Sequence, residues 1–232
     1  FGGAAEHAHK DEWRGALALP VANAVRMTLT DFAKHVNQQT VHIVYHGGCP
    51  DGCLSAIILR SAIEDDFEPS WLELLPTSHF RRNADKVTEG STAIFADVSP
   101  TLEDELQLQK CRCVIILDHH ASATHAQNKL QGALPQLSNF SDVSGTECGA
   151  TLVNRFCASH LVADWILHLF HRLDVFQHQL PEDLVKHYDP FKGFITQHGV
   201  GRCTVELVEE MLADTDAALS RGSKLYAGVS AN

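Results

Sequence analysis

The sequence predicts an α/β fold in which a parallel five-stranded sheet is flanked by helices and followed by a helical C-terminal region. The first observation is an alternation, up to about Glu147, of short β-branched apolar runs with longer segments of helical character. Such alternation is typical of parallel strands joined by crossover helices. The second observation is that every later periodic segment is helical. One sheet completed by a helical layer accounts for both.

The N-terminal stretch differs from the rest of the chain in composition. Residues 1–20 are rich in Gly, Ala and His, and we predict an irregular arm there. The apolar positions between Val21 and Val36 follow the spacing of an amphipathic helix. We therefore assign residues 1–39 to an N-terminal arm and helix.

Five segments have the length and composition of strands: "TVHIVYH", "SWLELLP", "STAIFADVSP", "RCVIILDHH" and "LPQLSNFS". The fourth is apolar on both faces, as expected of a buried parallel strand. The segment "GCLSAIILRSAIED" predicts a helix after the first strand. "TLEDELQLQK" predicts another, with Thr101 as its N-cap and Asp104 in its first turn. These elements form a predicted core over residues 40–146.

The remaining residues, 147–232, form a predicted helical region that completes the domain. Helical segments are predicted at 148–159, 161–178, 181–188 and 204–222. No strand of comparable strength interrupts them.

The composition excludes some classes of function. The net charge of -11 argues against a general polyanion binder, although metal ions can supply positive charge for phosphate chemistry in a pocket. No apolar run approaches the about 20 residues of a membrane span. The seven irregularly spaced cysteines form no CxxC pair and predict free thiols. We therefore expect an intracellular, reducing compartment, without a distinction between the cytoplasm and an organelle matrix such as the mitochondrial one.

Residues of the metal-ligand type follow three of the predicted strands. They are His46 and Asp51 after the first, Asp97 after the third, and the run Asp118–His120 after the fourth. One Asp at a strand end is commonly a helix cap or turn former. Three strands of one sheet that end in this way favour a shared site, since functional groups gather at the carboxyl ends of parallel strands. A mixed Asp/His set suits Mn²⁺ or a similar transition metal better than Mg²⁺ or Ca²⁺.

Three motifs carry a resemblance to a known family. "VIILDHHASA", preceded by "HGGCPDGCLSA" and "FADVSP", resembles the signature of the DHH phosphoesterases. In motif order the resemblance covers roughly Thr40 to Asn232. The superfamily includes exonucleases, nano-RNases, cyclic-dinucleotide phosphodiesterases, exopolyphosphatases and family II inorganic pyrophosphatases. The resemblance implies a hydrolase that holds two metal ions, usually Mn²⁺, with Mg²⁺ or Co²⁺ as substitutes.

The resemblance also implies a set of metal ligands spread over the chain: His46, Asp51, Asp97, His119 and Asp174. Among them, Asp97 would bridge the two ions. Asp174, in "LFHRLDVFQ", is the best match for the family's last ligand.

Two further residues receive catalytic roles from the same resemblance. Asp118 would orient His119 from behind, and His120 would face the substrate phosphate. The mechanism implied is metal-assisted hydrolysis, in which the ions lower the pKa of a bridging water and stabilise the charge developing on phosphorus.

The first motif contains one carboxylate where most members of the family have two. In one alignment register Cys49 replaces the first aspartate, and in the other Cys53 replaces the second. The "CPDG" form resembles a recognised subgroup of the superfamily.

Two functional hypotheses follow. The leading one is a metal-dependent phosphoesterase acting on a small phosphodiester, a short oligonucleotide or a polyphosphate, and the nearly complete ligand set favours it. The alternative is a weak or inactive DHH-derived subunit with protein partners in a larger assembly, for which an organelle is one compatible location. The acidic charge, the reduced first motif and the lack of the family's Gly-rich basic C-terminal motif favour the alternative.

The segment that contains Asp174 has a pattern of its own. Five polar residues fall on one side of the predicted helix: His160, Asp164, His168, His171 and His178. We interpret them as a solvated or partner-facing stripe on an amphipathic helix, in preference to a second metal site built on His168 and His171.

Overall fold

The computed structural model describes residues 29–79, 84–157, 159, 161–176 and 179–230. Its centre is a sheet of five strands: β1 (Thr40–His46), β2 (Trp71–Thr77), β3 (Thr92–Ala96), β4 (Cys113–Leu117) and β5 (Leu137–Asn139). Every neighbouring pair is parallel, and the order across the sheet is β2-β1-β3-β4-β5. The predicted α/β fold with a five-stranded parallel sheet is therefore confirmed.

Helices alternate with the strands in the first part of the described chain, and further helices follow the last strand. Those within the alternating part are α1 (Leu29–Val36), α2 (Pro50–Asp66), α3 (Glu105–Leu108) and α4 (Thr124–Ala133). Those after the sheet are α5 (Gly149–Cys157), α6 (Asp164–Asp174), α7 (Val185–Ile195), α8 (Val205–Ala213) and α9 (Thr215–Ser230). No helix of the described ranges is long and apolar enough to cross a membrane.

The sheet separates two apolar cores, because successive side chains of a strand point to opposite faces. On β4, Ile115 and Leu117 join a large core with the helices α1, α2 and α5 to α9. Val114 and Ile116 of the same strand join a smaller core with the elements that connect β3 to β5. Burial on both faces explains why this strand is a continuous apolar run.

Several predicted boundaries differ from the structure. The segment "TLEDELQLQK" contains only a 3-10 turn and the short α3, although Thr101 and Asp104 do form the capping box that starts the turn. The predicted helix at 204–222 is two helices, interrupted at Asp214. The predicted arm at 1–20 lies outside the described residues.

The topology places a crevice at one edge of the sheet. The chain runs from β1 to β2 on one side of β1 and then returns to β3 on its other side. Loops that leave neighbouring strands in opposite directions open a crevice at such a switch point. Register aligns Tyr45 with Ala96 and Ala96 with Leu117, so the residues that follow these three leave the sheet at one level.

A contact between distant segments closes one side of this crevice. Gly48, in the loop after β1, forms an isolated antiparallel bridge with Cys203, just before α8. Its φ of 82° is left-handed, and a Cβ there would lie 2.4 Å from the Gly201 carbonyl oxygen. Only glycine fits both requirements.

Candidate metal centre

Asp97 is the central carboxylate of the crevice. It is fully buried and has a left-handed φ of 57°, a conformation that Asp tolerates better than most residues. Its Oδ1 lies 3.0 Å from His119 Nε2, and its Oδ2 lies 3.4 Å from His46 Nδ1. Burial alone would raise the pKa of Asp97, but the contacts with both histidines hold that pKa below its usual range.

His119 joins the strand ends to the helices. Besides Asp97, its Nε2 lies 3.3 Å from Asp174 Oδ2 and 3.9 Å from Asp51 Oδ2. Burial opposes its protonation, but the contact with Asp97 and the charges of all three carboxylates raise the pKa of His119 to about 9. The side chain therefore lies at the centre of a strongly negative site.

Asp51 has a structural contact that the sequence did not predict. It lies in the first turn of α2, is buried, and accepts backbone N–H groups from Gly149 at 2.5 Å and Ala150 at 3.0 Å. Its carboxylate thus caps the N-terminus of α5, where the helix dipole favours a negative charge. Burial, followed by repulsion from Asp97 and Asp174, nevertheless raises the pKa of Asp51 well above its ordinary value.

Gly149 allows this close approach. A Cβ at this position would lie 2.6 Å from Asp97 Cβ and 2.8 Å from Asp51 Oδ2. Any side chain would push apart the two carboxylates that the fold brings together, so Gly149 positions both of them.

Asp118 contacts a different histidine from the one expected. The resemblance implied that Asp118 would orient His119, but its Oδ1 lies 2.7 Å from His120 Nδ1. The reason is the extended backbone after β4, in which residues two apart share a side and adjacent residues do not. Ser99 donates a hydrogen bond of 2.6 Å to the other Asp118 oxygen, and Gln127 donates to Ser99 at 2.7 Å. Burial opposes protonation of His120, but the contact with Asp118 raises its pKa.

The two cysteines of the first motif lie in different surroundings. Cys49, the N-cap of α2, lies with His46 and Asp97 in one group of ligand atoms. Cys53 is buried and its thiol points to the Cys203 carbonyl oxygen at 3.6 Å. Burial, followed by the charges of Asp97 and Asp51, raises the pKa of the Cys49 thiol well above its ordinary value. All seven cysteines are free.

His79 is a member of the site that sequence reasoning missed. It follows β2, and its ring centroid lies 4.0 Å from that of His46 and 4.1 Å from that of His120. Burial, with repulsion from these two histidines, lowers the pKa of His79 to about 4. The other strand-end residues were identified because functional groups gather at the carboxyl ends of parallel strands. The same expectation, applied to the end of the second predicted strand, would also have identified His79.

Three overlapping groups of side chains could hold a metal ion, with ligand atoms within 4.8 Å of one another. They are His46, Cys49 and Asp97; Asp97, His119 and His120; and Asp51, His119 and Asp174. Each of the five predicted metal ligands belongs to at least one group, whereas Asp118 lies behind His120. Asp97 and His119 each belong to two groups.

The donor atoms fit a divalent cation. Asp97 Oδ2 and His46 Nδ1 are buried and, although 3.4 Å apart, have no partner with hydrogen-bond geometry among the described residues. Such atoms are costly unless a water or ion satisfies them. Carboxylate oxygens and imidazole nitrogens form the donor set of several first-row transition metals, so the chemistry of the site fits a metal without identifying it.

The polar residues on α6 do not all match the predicted solvated or partner-facing stripe. His171 is buried, with 8% of its surface exposed, so this position is not solvated. His160 and His178 lie outside the described residues. Asp174, the last residue of α6, reaches the metal centre instead of extending the stripe.

Comparisons with known proteins assign neither a family nor a function to the chain. No protein-family model matches the chain, and no curated protein matches it.

Proposed function

We propose that this protein is a metal-dependent phosphoesterase of the DHH type, with Mn²⁺ bound by His46, Asp51, Asp97, His119 and Asp174. The observation that carries the proposal is the sharing of Asp97 and His119 between overlapping ligand groups. Shared ligands are what two metal ions about 4 Å apart require. Three carboxylates around one histidine also need positive charge that few nearby side chains supply.

Different residues of the chain would have different roles in hydrolysis. Bound cations would supply the charge that acidifies a coordinated water and stabilises the phosphate in the transition state. Asp118 keeps a proton on His120 Nδ1, and the raised pKa of His120 favours a cationic ring that can donate to a phosphate oxygen. Ser99 and Gln127 hold Asp118 in place for this purpose.

The proposed substrates are a small phosphodiester, a short oligonucleotide or a polyphosphate. Because the chain has a net charge of -11, long-range attraction of a phosphate is unfavourable. Attraction must therefore come from cations held in the crevice and from nearby basic side chains.

A second candidate function is supported by the contacts of Asp51. Both of its oxygens accept backbone N–H groups of α5, a contact that stabilises the fold whether or not a metal binds. A catalytically inactive, DHH-derived subunit of a larger assembly could retain the cluster for this reason alone.

The substitution Asp97→Asn separates the two functions. Asparagine keeps the size of the side chain and tolerates the left-handed φ of 57°, so the change removes charge with little strain. We expect the native protein to contain about two Mn²⁺ ions per chain. The variant should lose them, and hydrolysis of bis(p-nitrophenyl) phosphate in Mn²⁺ should fall more than about 100-fold, since changes behind the ligands alone cost 10–100-fold.

The matched control is Asp183→Asn, on an exposed 3-10 turn, which should leave metal content and rate unchanged. A native protein without metal, or an Asp97→Asn variant as active as the native protein, would exclude the enzyme and favour the structural subunit.

A further inference from the structure

A cavity of about 480 Å³ opens beside the metal centre, between α6, α7 and the loop before Cys203. Cys49, Asp51 and Asp174 line it, and these residues also belong to the ligand groups. Its volume lies within the roughly 300–1,000 Å³ typical of small-molecule sites. A lone phosphate has only five heavy atoms and would leave most of this space empty.

Apolar and aromatic side chains form another part of the cavity lining. Phe170 and Ile195 are buried and Leu173 is half-buried. Phe176 and Val200 lie at its mouth with 78% and 92% of their surfaces exposed. Exposed apolar side chains that rim a concave surface are typical of a ligand site.

Among the described residues, the cationic side chains that line this cavity are Arg172 and Lys192. Arg172 is half-buried, with its guanidinium carbon 5.9 Å from the ring centroid of Tyr188. It forms no ion pair within the described ranges, and neither do the exposed Arg112 and Arg202, whereas Arg60, Arg155 and Arg221 pair with carboxylates. Arg172 differs from Arg112 and Arg202 in lining a cavity, where its guanidinium is available to bind an anionic group through paired hydrogen bonds.

A larger cavity, of about 640 Å³, is lined by Gly47 and Gly48 among others. Its charged lining residues are Asp85, Lys86 and Glu206, and it contains no member of the metal-ligand groups. With two carboxylates to one cation and no candidate metal ligand, it is a less suitable binding site for a phosphate ester.

We infer that the 480 Å³ cavity binds the organic part of a phosphate ester, namely an aromatic or apolar group attached to the phosphate. The phosphate would lie between the metal centre and the two cations, with the organic group against Phe176 and Tyr188. This inference rests on the proposed phosphoesterase function. It disfavours a bare polyphosphate as the main substrate, because such a chain has no apolar part to contact the wall.

Equilibrium binding of two probes tests the inference. Phenylphosphonate and methylphosphonate carry the same anionic group, and neither contains a P–O–C bond to hydrolyse. We expect the Mn²⁺-loaded protein to bind phenylphosphonate at least roughly tenfold more tightly, since only the phenyl ring buries apolar area in the cavity. Isothermal titration measures both affinities.

Substitutions in the cavity test whether the preference for phenylphosphonate over methylphosphonate arises there. Phe176→Ala, at an exposed position, should reduce the preference for phenylphosphonate several-fold and leave methylphosphonate binding unchanged. Lys192→Met should weaken both probes to a similar extent, because it removes charge. Lys186→Met, on the same helix, exposed and outside the cavity, is the matched control and should change neither affinity.

Equal affinities for the two probes, or a preference that Phe176→Ala leaves intact, would overturn the inference. The same titrations on the metal-free protein separate it from the proposed function. A phenyl preference that persists in a protein unable to bind Mn²⁺ would support the cavity and refute the phosphoesterase. Two bound Mn²⁺ ions and rapid hydrolysis without a phenyl preference would do the reverse.

Discussion

The two halves of the candidate metal centre are built in different ways. Asp97, His119 and His120 follow adjacent strands, and the register of β3 and β4 fixes their level. Asp51 and Asp174 come from helices, and only the packing of α2, α5 and α6 brings them to the same place. The strand half is therefore determined by neighbours in the sheet, whereas the helix half depends on contacts between segments far apart in the chain.

The pair of substitutions Asp51→Asn and Asp174→Asn tests this difference most strongly. An asparagine at 51 can accept only one of the two N–H groups of α5, and the unpaired group costs about 1–3 kcal/mol. Relief of the repulsion from Asp97 and Asp174 offsets part of this cost, so the metal-free variant should lose about 1–2 kcal/mol of unfolding free energy. At 174 the change removes a carboxylate whose pKa is raised by burial and by Asp97, so the metal-free stability should stay equal or rise. Urea denaturation in a chelator measures both.

Both substitutions should nevertheless weaken Mn²⁺ binding by at least about 100-fold. If the two metal-free variants were equally stable, the cap on α5 would have no special role, and the distinction between the two helix-borne carboxylates would fail.

The pH dependence of the metal-free protein tests the contact between the halves. The pKa of His119 is about 9 in the fold and 6.5 ordinarily, so the folded state binds its proton more tightly. This stabilisation is complete below about pH 6.5 and is lost as the pH rises through about 9, a change on the order of 3 kcal/mol. The raised pKa values of Asp51 and Asp174 act in the same direction.

Thermal melting at pH 6 and pH 9.5 in a chelator measures this effect, and the melting temperature should fall at the higher pH. The variant His119→Gln should show a much smaller change. Since protons and metal ions compete for the same atoms, saturating Mn²⁺ should oppose the fall. A metal-free protein that is more stable at pH 9.5 would contradict the assignment.

Gly149→Ala breaks the contact between Asp97 and the N-terminus of α5. The new methyl group would lie 2.6 Å from Asp97 Cβ, and we expect a loss of about 2 kcal/mol in unfolding free energy together with weaker Mn²⁺ binding. Gly132→Ala is the matched control, because this helical glycine has open space around it. It should instead stabilise the protein by roughly 0.5–1 kcal/mol. Equal effects of the two substitutions would refute the positioning role.

The smallest effect concerns the support of the strand half. Ser99→Ala removes the 2.6 Å hydrogen bond to Asp118, which should cost about 1.5 kcal/mol in stability and roughly tenfold in hydrolysis rate. Ser61→Ala, which removes an exposed hydrogen bond to Asp65, should change stability by less than about 0.5 kcal/mol. A Ser99→Ala variant with native rate and pH profile would show that Asp118 needs no such support.

The strand half of the centre was predictable because its information is local. A buried apolar run, followed at once by Asp or by Asp-His-His, predicts both the strand and the ligands at its end. The one error there, the partner of Asp118, reflects alternation along an extended backbone: His120 shares a side with Asp118, and His119 does not.

The helix half was less predictable because its contacts are distant. Asp51 and Gly149 are 98 residues apart, and no local sequence pattern predicts that the Asp51 carboxylate caps the helix that begins at Gly149. Asp174 was found only through a resemblance, since its own surroundings predicted a solvated stripe. The cavity beside it arises where α6 and α7 pack together, and neither Phe176 nor Lys192 has a sequence signal of its own.

The bridge between Gly48 and Cys203 has a consequence for biogenesis. The loop that carries Cys49 is anchored by a segment synthesised about 150 residues later. At about 5–20 residues per second, the nascent chain grows for roughly 10–30 s before this anchor exists. Until then the loop lacks its partner segment, so its native conformation is expected to form only after the segment around Cys203 has left the ribosome.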